Sequence, residues 1–83
     1  MYFIRIASTN IVKVGYTGNI MQRLCTLQTA CPGQLEVQFQ FQTVDAKRVE
    51  TLLHSELEEK KIRGEWFFLE PNFDFVSLIK KVL

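Results

Sequence analysis

The chain has 83 residues, 47% of them hydrophobic and 12% aromatic, which is the size of one small domain with enough apolar material for a core. Disorder and a second domain are therefore excluded, and one core layer between a sheet and a few helices is the expected build for a single domain, 1–83. The formal net charge of +1 identifies no partner.

Residues 2–6, "YFIRI", read as a strand, and "STN" as a short polar turn. "IVKVGYT" is a second strand rich in β-branched residues, so the two form an antiparallel hairpin. Asn19 is the best N-cap for the helix that follows, in which Ile20, Leu24, Leu27 and Cys31 recur at helical spacing until Pro32 and Gly33 close it. "LEVQFQFQTV" alternates strictly, which predicts a strand with Leu35, Val37, Phe39 and Phe41 on one buried face and the glutamines on a wet or nucleic-acid-facing one. Asp45 caps a long helix running to about residue 61, with Val49, Leu52, Leu53 and Leu57 as its core stripe. Gly64 ends that element, "EWFFLE" is a short strand or extended segment, and "NFDFVSLIKKVL" is a final helix. The order β-β-α-β-α-(β)-α predicts an α+β fold in which helices flank a small antiparallel sheet.

From Met1 to Leu35 the charged side chains are Arg5, Lys13 and Arg23, with no acid before Glu36. If these segments share a face, that face is locally positive. Cys25 and Cys31, six apart, fit neither a zinc site nor a disulfide framework and read as small buried hydrophobes in a reducing, cytoplasmic setting. There is no apolar run of about 18 residues or more and no charged-then-apolar leader, so no membrane is expected as a partner.

Two groups of residues are suited to chemistry. Gly15, in a strand just before a polar turn, marks a place where a ligand or another backbone comes close, and Tyr16 emerges beside it, so a phosphate is expected over Gly15 with Lys13, Tyr16 and Arg23 around it. Arg23 lies at the edge of the first helix's apolar stripe, where its guanidinium suits a phosphate; a snorkelling surface arginine fits the same pattern. Glu50 and His54 are four apart and share a helix face. A carboxylate at a pocket rim can hold magnesium, and an imidazole beside it can orient that carboxylate, touch phosphate or relay a proton; a plain helix-surface hydrogen bond fits equally. Trp66 and Phe67 read as the plug of the core's open end.

The order of these features carries more than any one of them. "YFI", "KVGYT", "RLCTLQT", "ETLLH" and "GEWF" together resemble the GIY-YIG nuclease superfamily, and within it the phage and bacterial T5orf172-like branch, from Tyr2 to about Leu69. The resemblance implies an antiparallel sheet of about three strands flanked by helices, and an endonuclease that hydrolyses DNA phosphodiester bonds with one divalent metal, Mg²⁺ or Mn²⁺. By position, Tyr2 matches the tyrosine that activates or places the attacking water. Arg23 matches the arginine on the scissile phosphate, Glu50 the metal-binding glutamate, and Gly15 the second-motif glycine. Lys13 stands where the wider superfamily has a second tyrosine and is suited to lower the pKa of Tyr2 or to bind phosphate. Asn72 alone could match the asparagine that many superfamily enzymes carry later in the chain. His54 is a feature of the branch. Family enzymes usually attach a DNA-recognition domain, so a separate domain, a protein partner or a homodimer is expected to assist. A catalytically inactive nucleic-acid-binding or interaction module with the same fold is the alternative.

Overall fold

The computed structural model describes residues 1–83, arranged as β1 (Tyr2–Ile6), β2 (Ile11–Gly15), α1 (Ile20–Thr29), β3 (Leu35–Gln40), α2 (Ala46–Glu56), a 3₁₀ turn (Glu58–Lys60), β4 (Lys61–Arg63), β5 (Trp66–Phe68) and α3 (Phe75–Val82). The α+β class holds, but the sheet has five strands, in the order β3-β1-β2-β5-β4, with every pair antiparallel. The additional strand, β4, forms where a longer second helix is expected. That helix ends at Glu56, and Lys61–Arg63 fold back on β5 across a turn at Gly64. Gly64 has φ +56°, a left-handed conformation that glycine alone adopts without steric cost.

The first two helices are capped as the sequence predicts. The Asn19 side chain accepts from the Gln22 amide at 3.1 Å, and Asp45 Oδ1 accepts from the Arg48 amide at 3.3 Å. Asp74 caps α3, accepting from the Ser77 amide and hydroxyl, and these hydrogen bonds hold its carboxyl below its ordinary pKa.

Both faces of the sheet are covered, so there are two core layers and not one. Phe3, Val12, Val14 and Phe67 point to the side where Val49, Leu53 and Leu57 of the α2 region and Leu78 and Val82 of α3 pack on them. Tyr2, Ile4 and Leu35 point to the other side, against Ile20, Leu24 and Leu27 of α1. Alternation along β1 produces this split, because neighbouring side chains leave a strand on opposite faces. Phe67 fills the larger layer as a core plug, whereas Trp66 packs at the edge of the smaller one.

The strand β3 departs from the single buried face expected of it. Its register against β1 shifts between Phe3 and Ile4, which face Phe39 and Val37 respectively and leave Gln38 as an extra residue. A bulge of one residue reverses the facing of everything beyond it. Leu35 and Val37 thus join the α1 side, while Phe39 and Phe41 cross to the α2 and α3 side, where Phe3, Phe39 and Phe75 pack ring to ring. Cys25 is exposed and not buried, since it lies one position past Leu24, about 100° around the helix; Cys31 is half-buried against the smaller layer.

Candidate functional site

The site forms where the β1–β2 ladder ends, at the pair Tyr2 and Gly15. The next pairs alternate faces, so Tyr2, Ile4 and Lys13 share the α1 side of the sheet, and Arg5 shares the opposite side with Val12. Arg5 is therefore not part of a common positive face. It is buried and its guanidinium is used within the fold. What remains of that face is Lys13 from β2 and Arg23 from α1.

Seven residues line one pocket of about 320 Å³: Tyr2, Lys13, Tyr16, Arg23, Leu27, Glu50 and Glu65. Five of the positions singled out in the sequence, drawn from both sides of the sheet, thus converge. The route by which α2 reaches the pocket is visible in the hydrogen bonding. On the β5 side of β2, the Val14 amide bonds the Glu65 carbonyl at 3.0 Å, and there the partner strand turns away at Gly64. A buried carbonyl left without a ladder partner must find another donor. The Val14 carbonyl accepts from His54 Nε2 at 2.9 Å, so His54 is fixed at the end of the ladder with its ring against Phe67. Glu50, one helical turn earlier, then reaches the pocket rim.

Gly15 has a clear steric task. A methyl group at its Cα would lie 2.7 Å from the Tyr2 hydroxyl and 3.2 Å from Glu65 Oε2. The close approach that glycine permits is therefore with the phenol of a buried ring. Gly15→Ala is expected to displace that ring, lower stability by about 1–3 kcal/mol and distort the pocket. A thermal melt showing wild-type stability would contradict this packing.

Glu65 is the functional-site residue that sequence reasoning passed over, although it stands inside "GEWF". It lies 3.8 Å from Lys13 Nζ, and the ammonium also sits 5.3 Å above the Trp66 ring. Glu50, His54 and Glu65 each offer a donor atom, and all three atoms lie within 4.8 Å of one another. Arg23 makes no ion pair and is exposed toward the pocket. Asn72 is exposed in the segment between β5 and α3 and does not line the pocket.

The electrostatics follow from this crowding. Burial raises the Glu50 carboxyl above its ordinary pKa, the Glu65 charge raises it further, and His54 and Lys13 oppose both. Burial also raises the Tyr2 phenol; Arg23 draws it down, and the two glutamates push it up. The cation acting against that rise is Arg23, while Lys13 lies 3.8 Å from Glu65. One wall of the pocket can therefore hold a cation with carboxylates and imidazole, while the other offers a guanidinium, an ammonium and a neutral phenol to an oxyanion.

Over 76 residues the chain is 37% identical to a KilA-N domain-containing protein, 315L, of Invertebrate iridescent virus 6, an alignment that takes in 87% of this chain and 30% of the viral protein. The chain thus spans less than a third of the length of that relative. No solved structure matches it. The model of one family, described as the T5orf172 domain, matches residues 1–83, the whole sequence. With 83 of 83 residues matched, the chain belongs to the T5orf172 domain family.

Proposed function

We propose that this chain is a GIY-YIG-type nuclease domain that hydrolyses DNA phosphodiester bonds with the help of one divalent cation. The observation that supports this reading most directly is the convergence of Tyr2, Lys13, Arg23 and Glu50, from four separate elements, on one pocket. A fold needing only stability would gain nothing from gathering Glu50 and Glu65 there, since burial and then the Glu65 charge raise the pKa of Glu50.

The donor set fits a divalent cation. Glu50 and Glu65 supply hard oxygen ligands, and His54 supplies nitrogen. With Nε2 donating to the Val14 carbonyl, His54 would ligate through Nδ1, in the arrangement by which a second hydrogen bond commonly fixes a ligating imidazole. The cation, when bound, supplies Lewis acidity at the phosphate and its leaving oxygen. The remaining work belongs to side chains of this chain. Arg23 binds the phosphate with two donors and stabilises charge that grows on its oxygens. Lys13 adds a second positive charge. Tyr2 keeps its proton near neutral pH, as any phenol does, and burial only strengthens its hold, so its hydroxyl places the attacking water and passes a proton along, with no standing phenolate.

The test is nicking of supercoiled plasmid by the purified protein. Relaxed circles are expected to accumulate with Mn²⁺ or Mg²⁺ and to stop with EDTA, and Arg23→Ala should slow the reaction by about 10²–10³-fold. Intact plasmid with a folded protein that still binds DNA would replace the nuclease reading with that of a non-catalytic binding module.

A further inference from the structure

Beside the pocket lies a larger groove of about 720 Å³, within the range typical of small-molecule sites. The two share a wall, since Tyr2 and Tyr16 line both. The far wall comes from the end of β3 and the segment after it, through Gln40, Phe41, Gln42 and Thr43. No acidic side chain lines the groove, although nine acids occur in the chain. Tyr16 leaves 39% of its surface open, directly after the buried Val14 and Gly15. The core makes no demand for a tyrosine at that position.

This combination is specific in chemical terms. An exposed ring offers a face for stacking, and two amides and a hydroxyl offer both donors and acceptors. The absence of carboxylates spares a phosphate-linked ligand any repulsion. A purely apolar occupant would leave Gln40, Gln42 and Thr43 facing it unpaired, which disfavours a hydrophobic peptide or lipid chain. A nucleobase satisfies every feature, because it stacks on aromatic rings and carries hydrogen-bonding groups around its edge.

We propose that this groove receives the unstacked base of the nucleotide adjoining the phosphate bound at Arg23, with Tyr16 as its stacking platform and Gln40, Gln42 and Thr43 facing its edge. The inference rests on reading the Arg23 pocket as a phosphate site. It implies that the domain engages single-stranded or unpaired positions in preference to intact duplex, because a paired base must first be drawn out of its stack.

Fluorescence anisotropy in EDTA at low salt tests this without cleavage. The probes are an oligothymidylate and an abasic oligonucleotide of the same length. Wild-type protein is expected to bind the base-bearing strand about tenfold more tightly than the abasic one. Tyr16→Ala should bring that ratio to about one, and Tyr16→Phe should keep it. Gly18→Leu supplies an independent check: Gly18 lines the groove, and a Cβ there meets nothing within 4 Å, so the backbone accepts a side chain that is expected to obstruct the groove. It should also lose the ratio while keeping affinity for the abasic strand. Equal wild-type affinity for the two strands would overturn the base-binding groove and leave the phosphate pocket standing. Binding of neither strand, or binding that ignores Arg23→Ala, would overturn the phosphate pocket and the groove together.

Discussion

Replacing Glu50 by glutamine is expected to slow plasmid nicking by about 10³-fold or more and, in the same protein, to raise the melting temperature measured without metal. The loss of rate follows from removing a charged ligand, because a metal ion's stabilisation of the transition state is worth several kcal/mol and each 1.36 kcal/mol is tenfold. The gain in stability follows from the pocket's own electrostatics. Burial and the Glu65 carboxylate raise the Glu50 pKa in the folded protein above its ordinary value of 4.5. A carboxyl whose folded pKa is raised binds its proton more tightly when folded, so stability falls as pH rises from that ordinary value through the folded pKa. Below pH 4.5 both states are protonated and the penalty is absent. The melting-temperature gain of Glu50→Gln should therefore be full above the folded pKa, fade as the pH falls from there toward 4.5, and be absent below it. Two ordinary results would refute the argument: a variant that melts below wild type at pH 7, or one that nicks plasmid at the wild-type rate. Titration with Mn²⁺ by calorimetry separates the roles of the neighbours, since Glu65→Gln should weaken binding and should also free Lys13 from its only ion pair.

The first hairpin, the three main helices and the caps Asn19 and Asp45 were legible because each rests on a local signal, whether apolar periodicity, a turn cluster or a capping side chain. The strand β4 was not, since Lys61–Arg63 is exposed and charged and becomes a strand only by pairing with β5 across Gly64. The same hairpin places Glu65 beside Lys13, so missing the strand meant missing the third member of the carboxylate–imidazole cluster. In β3, strict alternation misled because a bulge at Gln38 switches faces midway, and with both faces of the sheet covered either facing is buried. The family pattern, by contrast, named Tyr2, Lys13, Arg23 and Glu50 by order alone, and the fold brings those four together. His54 stands just outside the pocket lining, fixed to Val14 and within ligand reach of Glu50.

Arg5→Ala is expected to lower stability by about 3–5 kcal/mol. In the sequence this arginine reads as one of three surface cations, yet it is 6% exposed. Its guanidinium donates to the carbonyls of Thr9 at 3.1 Å, Leu69 at 2.7 Å and Glu70 at 3.1 Å, and to Gln38 Oε1 at 3.1 Å. Those four acceptors belong to the β1–β2 turn, the segment after β5 and the bulge of β3. One side chain thus ties together three segments that the strand order would otherwise leave joined only through their ladders. Truncation strands the buried Leu69 carbonyl and two part-buried ones and opens a cavity, whereas lysine, with three donors on one nitrogen, cannot match a planar fork spread over four acceptors. Arg5→Lys should therefore recover only part of the loss. For a domain whose whole stability is about 5–15 kcal/mol, the alanine variant should melt more than about 10 °C below wild type, with a lower denaturant midpoint and an unchanged slope. A melting temperature within a degree or two of wild type would show that these hydrogen bonds are replaced by water at no cost. Because the bulge that Arg5 holds is also what carries Phe39 and Phe41 across the sheet, the same variant should loosen the end of β3 first, and amide exchange at Phe41 should quicken before that at Val12 in the centre of the sheet.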